Sequence, residues 1–178
     1  PSFTEEQYMT QAKRLLAVFV GAKAAHGTTT VGRIGRNGKA ESKSMIVRNP
    51  LTEELVQEHL DGKQGVGAIP INEENKCQFG ALDIDVYDLN HNELQAKIQK
   101  MKLPLVHCRS KSGGAHLYVF MKDWEQAADV RDYLTEMPIA LGYSGCEVFP
   151  KQDTIIAERG DVGNFINMPY FNAELPQR

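Results

Sequence analysis

The run QFGALDIDV at residues 78–86 limits the fold more than any other stretch. It is apolar along most of its length and ends in two aspartates. It follows a second β-like run, GVGAIPI at residues 65–71, across the polar turn NEENK. Apolar runs of this length, bounded by turn residues, predict strands and so commit the chain to a sheet. Downstream, LPLVHC and AHLYVFM read as two further strands around the loop RSKSGG, and CEVF and NFINMPYF as short ones near the end.

Helices are expected between them. Thr4-Glu5-Glu6-Gln7 has the form of a capping box, followed at helical spacing by Tyr8, Ala12, Leu15, Leu16 and Phe19. Thr52 is placed to cap TEELVQEHL, which ends before Gly62. Asn90 with Glu93 opens ELQAKIQKM, which stops before Pro104, and Asp123 with Gln126 caps a longer helix carrying Ala127, Val130, Leu134 and Met137 on one face. Asn37-Gly38 suits a tight hairpin turn between two more strands. Helices alternating with strands, some of them hairpin-linked, give an α/β or α+β sheet fold. The expectation is one domain over residues 1–178, with 1–62 as a candidate subsidiary lobe and 63–178 as the motif-bearing core.

At 178 residues the chain can build one substantial core, or two small lobes sharing one. No apolar stretch approaches bilayer length and the start, PSFTEEQYMTQAKRLL, has no signal-peptide pattern, so a cytoplasmic protein without a membrane partner is expected. Cys77, Cys108 and Cys146 are widely spaced and form no CxxC pair, which argues against a zinc ribbon or a disulfide framework. The net charge of −3 does not announce a nucleic-acid binder, but a global count can hide a local patch. Arg33, Arg36, Lys39, Lys43 and Arg48 face a single acid, Glu41, across residues 33–48. That segment is either a solvated hairpin or a template contact.

Four constellations can carry chemistry. Asp83-Ile84-Asp85 ends the apolar strand, and alternate strand residues point the same way, roughly 7 Å apart at the backbone. Two carboxylates so placed can converge on one divalent cation or on a close pair, and oxygen ligands suit Mg²⁺ or Mn²⁺ rather than zinc. The same DxD occurs on solvent-facing strands and in sugar-nucleotide transferases. Arg109-Ser110-Lys111-Ser112-Gly113-Gly114-Ala115-His116 combines small residues, hydroxyls and positive charge, as an anion loop requires, and His116 opens the next strand. It lacks the P-loop spacing GxxxxGK[ST]; a flexible loop with a structural histidine is the other reading. Glu147 sits alone among apolar neighbours on a short strand, where a carboxylate needs a partner or a metal. Lys151 and Gln152 follow in a turn within reach of phosphate or template. Asn164 and Asn167 can hydrogen-bond a nucleotide, or simply form turns around a core strand. Taken in order, an acidic pair, a serine-glycine-histidine loop and a third carboxylate describe a two-metal nucleotidyl-transfer site.

In NPLTEELVQEHLDGKQGVGAIPI, FGALDIDVYD, SKSGGAHLYVF, EVFPKQD and GNFINMP the sequence resembles the archaeo-eukaryotic primase superfamily, the primase-polymerases, over residues 50–171. It is most similar to the branch found in phages, plasmids and mobile conflict systems. The resemblance implies an α/β unit paired with an RNA-recognition-motif-like unit, with the active site between them. It implies Asp83, Asp85 and Glu147 as ligands of two Mg²⁺ or Mn²⁺ ions, and residues 112–116 as the nucleotide loop with His116 on the triphosphate. Lys111, Ser112, Gly113, Gly114, His116 and Lys151 form the expected cradle, with Arg109, Gln152 and Asn164 as further contacts. Tyr87 and Tyr170 are candidates for sensing the sugar. This chain has Gly114 where relatives often have serine, glutamate at the third acidic position, and no cysteine-histidine zinc module, so no zinc is expected.

The implied activity is template-directed nucleotidyl transfer from NTPs or dNTPs on single-stranded DNA. A helicase or helical domain, in this or another chain, is a candidate partner, and the resemblance leans toward a virus or mobile element whose protein acts in the host cytoplasm. Two rivals keep the fold: a repair polymerase that extends primers but cannot start them, and a non-catalytic nucleic-acid-binding module of a replication protein. A metal-dependent nuclease would use similar carboxylates.

Overall fold

Apolar runs too short to close their own hydrogen bonds must pair side by side. They do so in two four-stranded sheets within residues 9–34, 40–86 and 88–173, which the computed structural model describes. The expected features at Thr4, Glu5, Glu6, Gln7, Tyr8, Arg36, Asn37, Gly38, Lys39 and Tyr87 lie outside the described residues, as do the side chains of Arg33 and Glu41. The strands are β1 (His26–Ile34), β2 (Ala40–Val47), β3 (Gly65–Ala68), β4 (Lys76–Ile84), β5 (Val106–Arg109), β6 (Ala115–Gln126), β7 (Glu147–Phe149) and β8 (Ile166–Asn167). The first sheet has the order β2-β1-β3-β8 and the second β5-β6-β4-β7, with every neighbouring pair antiparallel. Strands from both sides of residue 62 therefore share the first sheet.

Among the described residues four α-helices pack on these sheets: α1 (Gln11–Val18), α2 (Glu53–Leu60), α3 (His91–Lys100) and α4 (Ala127–Leu141). Thr52 and Asn90 cap α2 and α3 as their sequences predict, accepting from Leu55 N at 3.4 Å and Glu93 N at 3.1 Å. Thr10 caps α1, accepting from Lys13 N at 3.0 Å. One start differs from expectation. At α4, Asp123 does not cap: β6 stays paired with β4 through Cys77↔Glu125 and Lys76↔Gln126, so the strand runs past Asp123 and the helix begins at Ala127. The predicted α4 face is buried: Ala127, Val130, Leu134 and Met137.

Strand alternation divides the second sheet into two faces. Leu82 and Ile84 of β4, with Ala115, Leu117 and Val119 of β6, pack with Leu94 and Ile98 of α3 and with the α4 stripe. Phe79 and Ala81 of β4, with Tyr118 of β6 and Phe149 of β7, pack with Val66, Ala68 and Ile166 of the first sheet and with Ala12, Phe19, Val56 and Leu60. The sheets thus share a core, and the odd-numbered β4 residues 79–83 look toward the first sheet. Buried His59 ties α2 to this junction: its Nε2–H donates to Pro169 O at 2.9 Å and its Nδ1 accepts from Val66 N at 3.1 Å. No helix among the described residues is long and apolar enough to cross a membrane.

Candidate nucleotide and metal site

Antiparallel partners lie directly opposite each other and present their side chains on the same face, with Cβ atoms about 5 Å apart. In the second sheet Cys108 pairs with His116, His116 with Asp83, and Asp83 with Glu147. One row therefore crosses all four strands, at the end of the face that turns toward the first sheet. Asp83 sits at its centre, histidine on one side and glutamate on the other.

The row is electrostatically unfinished. Asp83 Oδ1 is buried and makes no hydrogen bond. His116 Nε2 lies 3.4 Å from it, within ion-pair range but without hydrogen-bond geometry. Glu147 is exposed and holds Lys151, Nζ to Oε2 2.9 Å, while Lys151 lies 5.1 Å from the centre of the Phe149 ring. Asp85 is exposed and lies one residue beyond β4, so the expected strand ends at Ile84, between the two aspartates. Among the described residues no three His, Cys, Asp or Glu side chains stand close enough to enclose an ion as they are. The side chains that could contribute to holding a divalent cation are Asp83, whose buried Oδ1 has no hydrogen bond and lies beside His116 Nε2, and Glu147, its neighbour in the row, which is ion-paired with Lys151.

The tautomer of His116 is set from behind. Burial holds the Tyr118 hydroxyl well above its ordinary pKa, with neighbouring Cys108, Asp83 and Tyr170 acting the same way, so it remains a donor. Its proton goes to Asn167 O at 2.7 Å, across to the first sheet. The 3.0 Å contact between Tyr118 Oη and His116 Nδ1 then requires Nδ1 to donate. Nε2 is left toward the row, available for a proton it can give to an anion. Tyr118 follows His116 by two in a strand, which is the one signal in the sequence that places both on the same face.

The loop between β5 and β6 is a tight backbone construction. Ser110 N donates to Gly114 O at 2.8 Å, Gly113 N to Ser110 O at 3.1 Å, and the Ser110 and Ser112 hydroxyls bond at 3.0 Å. Gly113 has φ +95°, which disfavours any side chain. At Gly114 a Cβ would stand 2.1 Å from the carbonyl oxygen of Ile84, the residue between the two aspartates. Glycine at position 114 is thus what lets the loop touch the acidic strand. Lys111 and Ser112 are exposed at its tip, and Arg109 is exposed at the end of β5.

Gln152 and Asn164 are brought to each other. Asn164 N donates to Gln152 Oε1 at 3.2 Å, and Gln152 Nε2 donates back to Asn164 Oδ1. Asn167 is used structurally, its Oδ1 accepting from Thr29 Oγ1 at 2.9 Å. The turn bearing Lys151 and Gln152 is held by α4, where Arg131 donates to Pro150 O at 2.6 Å and pairs with Asp153 at 2.5 Å. Tyr170 has φ +68° and its hydroxyl meets the Cys108 thiol, at the β5 end of the row.

A family model described as the archaeo-eukaryotic primase domain of the TOTE conflict system matches residues 28–178. No curated protein is similar enough to this chain to count as a match.

Proposed function

Because the chain belongs to the archaeo-eukaryotic primase domain family of TOTE conflict systems, we propose that it is a nucleotidyltransferase that joins NTPs or dNTPs on a single-stranded DNA template. The observation that carries this reading is the cross-strand row His116–Asp83–Glu147 with its unsatisfied Asp83 oxygen. Asp83, Asp85 and Glu147 are the residues to hold Mg²⁺ or Mn²⁺. Such ions, when bound, supply charge stabilisation at the attacking and leaving oxygens of an in-line displacement.

The protein's own part follows from its geometry. His116, fixed with its proton on Nδ1, presents Nε2 to the triphosphate and donates to a phosphate oxygen once protonated. The loop at residues 110–114 lies against the acidic strand, so a triphosphate held by it sits beside Asp83. Lys151 neutralises Glu147 in the free protein and moves to the phosphates as Glu147 takes up its ligand. This exchange keeps Glu147 from being left uncompensated at either stage. Arg109, Lys111 and Ser112 supply charge and a hydroxyl at the loop, and Gln152 with Asn164 offers an amide pair beside Lys151.

One observation favours a second reading, a non-catalytic nucleic-acid-binding module: the candidate ligands do not enclose an ion as they stand. The experiment is primer-free synthesis on single-stranded DNA with labelled nucleotides and Mg²⁺ or Mn²⁺. Short products that vanish in Asp83→Ala/Asp85→Ala are the expected result. Extension of annealed primers alone would make the domain a polymerase that does not initiate. Metal-independent DNA binding with no incorporation would establish the module instead. The domain is expected to act in priming or copying DNA, with a helicase or helical domain as partner.

A further inference from the structure

On the helix-facing side of the second sheet lies a hydrogen-bonded chain of side chains that ends on the nucleotide loop. His91, the first residue of α3, approaches Gly113 O with Nε2 at 2.9 Å. A carbonyl only accepts, so His91 Nε2 carries a proton and its Nδ1 is an acceptor in the neutral ring. His91 Nδ1 meets His107 Nε2 at 3.0 Å, with ring centres 5.2 Å apart and planes within 13°, the geometry of two rings meeting edge to edge. His107 Nδ1 in turn lies 3.1 Å from Gln95 Oε1, one turn along α3, in an amide whose oxygen and NH₂ exchange places by a flip. With Gln95 presenting NH₂ to His107, each group donates to the next and both rings are neutral. With the amide oxygen there instead, the pair needs one proton more. Burial, and then the neighbouring His91, lower the affinity of His107 for that proton.

The end point of the chain matters more than its length. In a trans peptide the carbonyl and the following N–H point in opposite directions. Holding Gly113 O toward α3 therefore turns the Gly114 N–H away from α3. Gly114 cannot move off independently, because it is seated on the Ile84 carbonyl. The same peptide is thus clamped on one side by a histidine and on the other by the acidic strand.

We propose that His91, backed by His107 and Gln95, is a positioning residue that sets the Gly113–Gly114 peptide so that the Gly114 N–H donates to the substrate's triphosphate. This rests on the nucleotidyltransferase reading and adds to it a residue that touches neither substrate nor metal. A donor that contacts the phosphates equally before and during reaction changes binding rather than turnover. His91→Ala therefore raises nucleotide Kd and KM about tenfold with kcat nearly unchanged. His91→Gln, which can still donate to Gly113 O, recovers most of that loss. His107→Leu, which strips His91 Nδ1 of its partner, falls between.

The test is nucleoside triphosphate binding by titration calorimetry, with a melt of each variant. It is joined by an amide NMR titration of the wild-type protein with inorganic tripolyphosphate, which stands even if His91→Ala fails to fold. The expected results are the graded Kd series and a shifted Gly114 amide. Unchanged affinity in a folded His91→Ala, or a Gly114 amide indifferent to tripolyphosphate while nucleotide binds, overturns this inference and leaves the nucleotidyltransferase reading intact. A wild-type protein that binds no nucleoside triphosphate overturns both.

Discussion

Gly114→Ser puts a side chain where the loop packs against the acidic strand, and the structure predicts that it does harm. A Cβ on Gly114 would lie 2.1 Å from Ile84 O, 3.2 Å from Ile84 C and 3.3 Å from Ser110 Oγ. The first contact is more than 1 Å inside the 3.4 Å at which ordinary contact begins. Ile84 belongs to a strand paired on both sides, so the loop and not the strand must retreat. Overpacking of this kind costs roughly 1–3 kcal/mol of stability. A displacement of about 1 Å in groups that orient a substrate costs on the order of a hundredfold in rate. The expected outcome is a folded protein whose melting midpoint falls by several degrees and whose nucleotide incorporation falls by about two orders of magnitude. Thermal melts and a primer-extension time course measure the two effects separately. A Gly114→Ser protein with native stability and native incorporation would refute both the packing argument and the placement of the loop against the acidic strand.

Other consequences are equally concrete. Asp83→Asn neutralises a buried carboxylate that lacks a hydrogen bond and offers an amide NH₂ to His116 Nε2, so the metal-free protein should gain about 1 kcal/mol while Mn²⁺ no longer raises its melting temperature; calorimetric melts with and without Mn²⁺ read both. Lys151→Met should weaken nucleotide binding about tenfold yet tighten Mn²⁺ binding, since Glu147 loses its competing partner; titrations with each ligand alone check the opposite signs. Burial pushes the Cys77 thiol from its ordinary 9.0 up to about 12. Stability should therefore be independent of this thiol below pH 9. It should fall by up to about 1.4 kcal/mol per pH unit between 9 and 12, where the unfolded chain ionises first, and Cys77→Ala should flatten that slope in denaturant titrations. Iodoacetamide at pH 8 should label Cys146 before Cys77 or Cys108, which are both buried; peptide mapping gives the order.

What the sequence made legible, and what it hid, follows from the range of the forces involved. Thr52 and Asn90 were readable because a cap is a contact three residues long, complete within the segment that encodes it. Asp123 misled for the same reason, offering a local cap that long-range pairing of β6 with β4 as far as Gln126 overrode. The acidic set was legible as a candidate, by residue type and order. Its arrangement was not: the register that seats Asp83 between His116 and Glu147 is a property of three strands, and the strand's end at Ile84 separates Asp85 from that row.

The histidine chain marks the limit more sharply. His91 and His107 lie in a helix and a strand with no motif around either, and nothing local needs them. They meet only because α3 packs over the same sheet face to which β5 turns its odd residue His107, beside Leu117. The loop between β5 and β6 then has two kinds of support. One is encoded next to it, in glycines that can adopt the required backbone and approach Ile84. The other is assembled from residues as distant as position 91. A motif can report only the first kind. The second decides which way the loop's peptides face, so two chains with the same serine-glycine-histidine signature need not hold a triphosphate equally well.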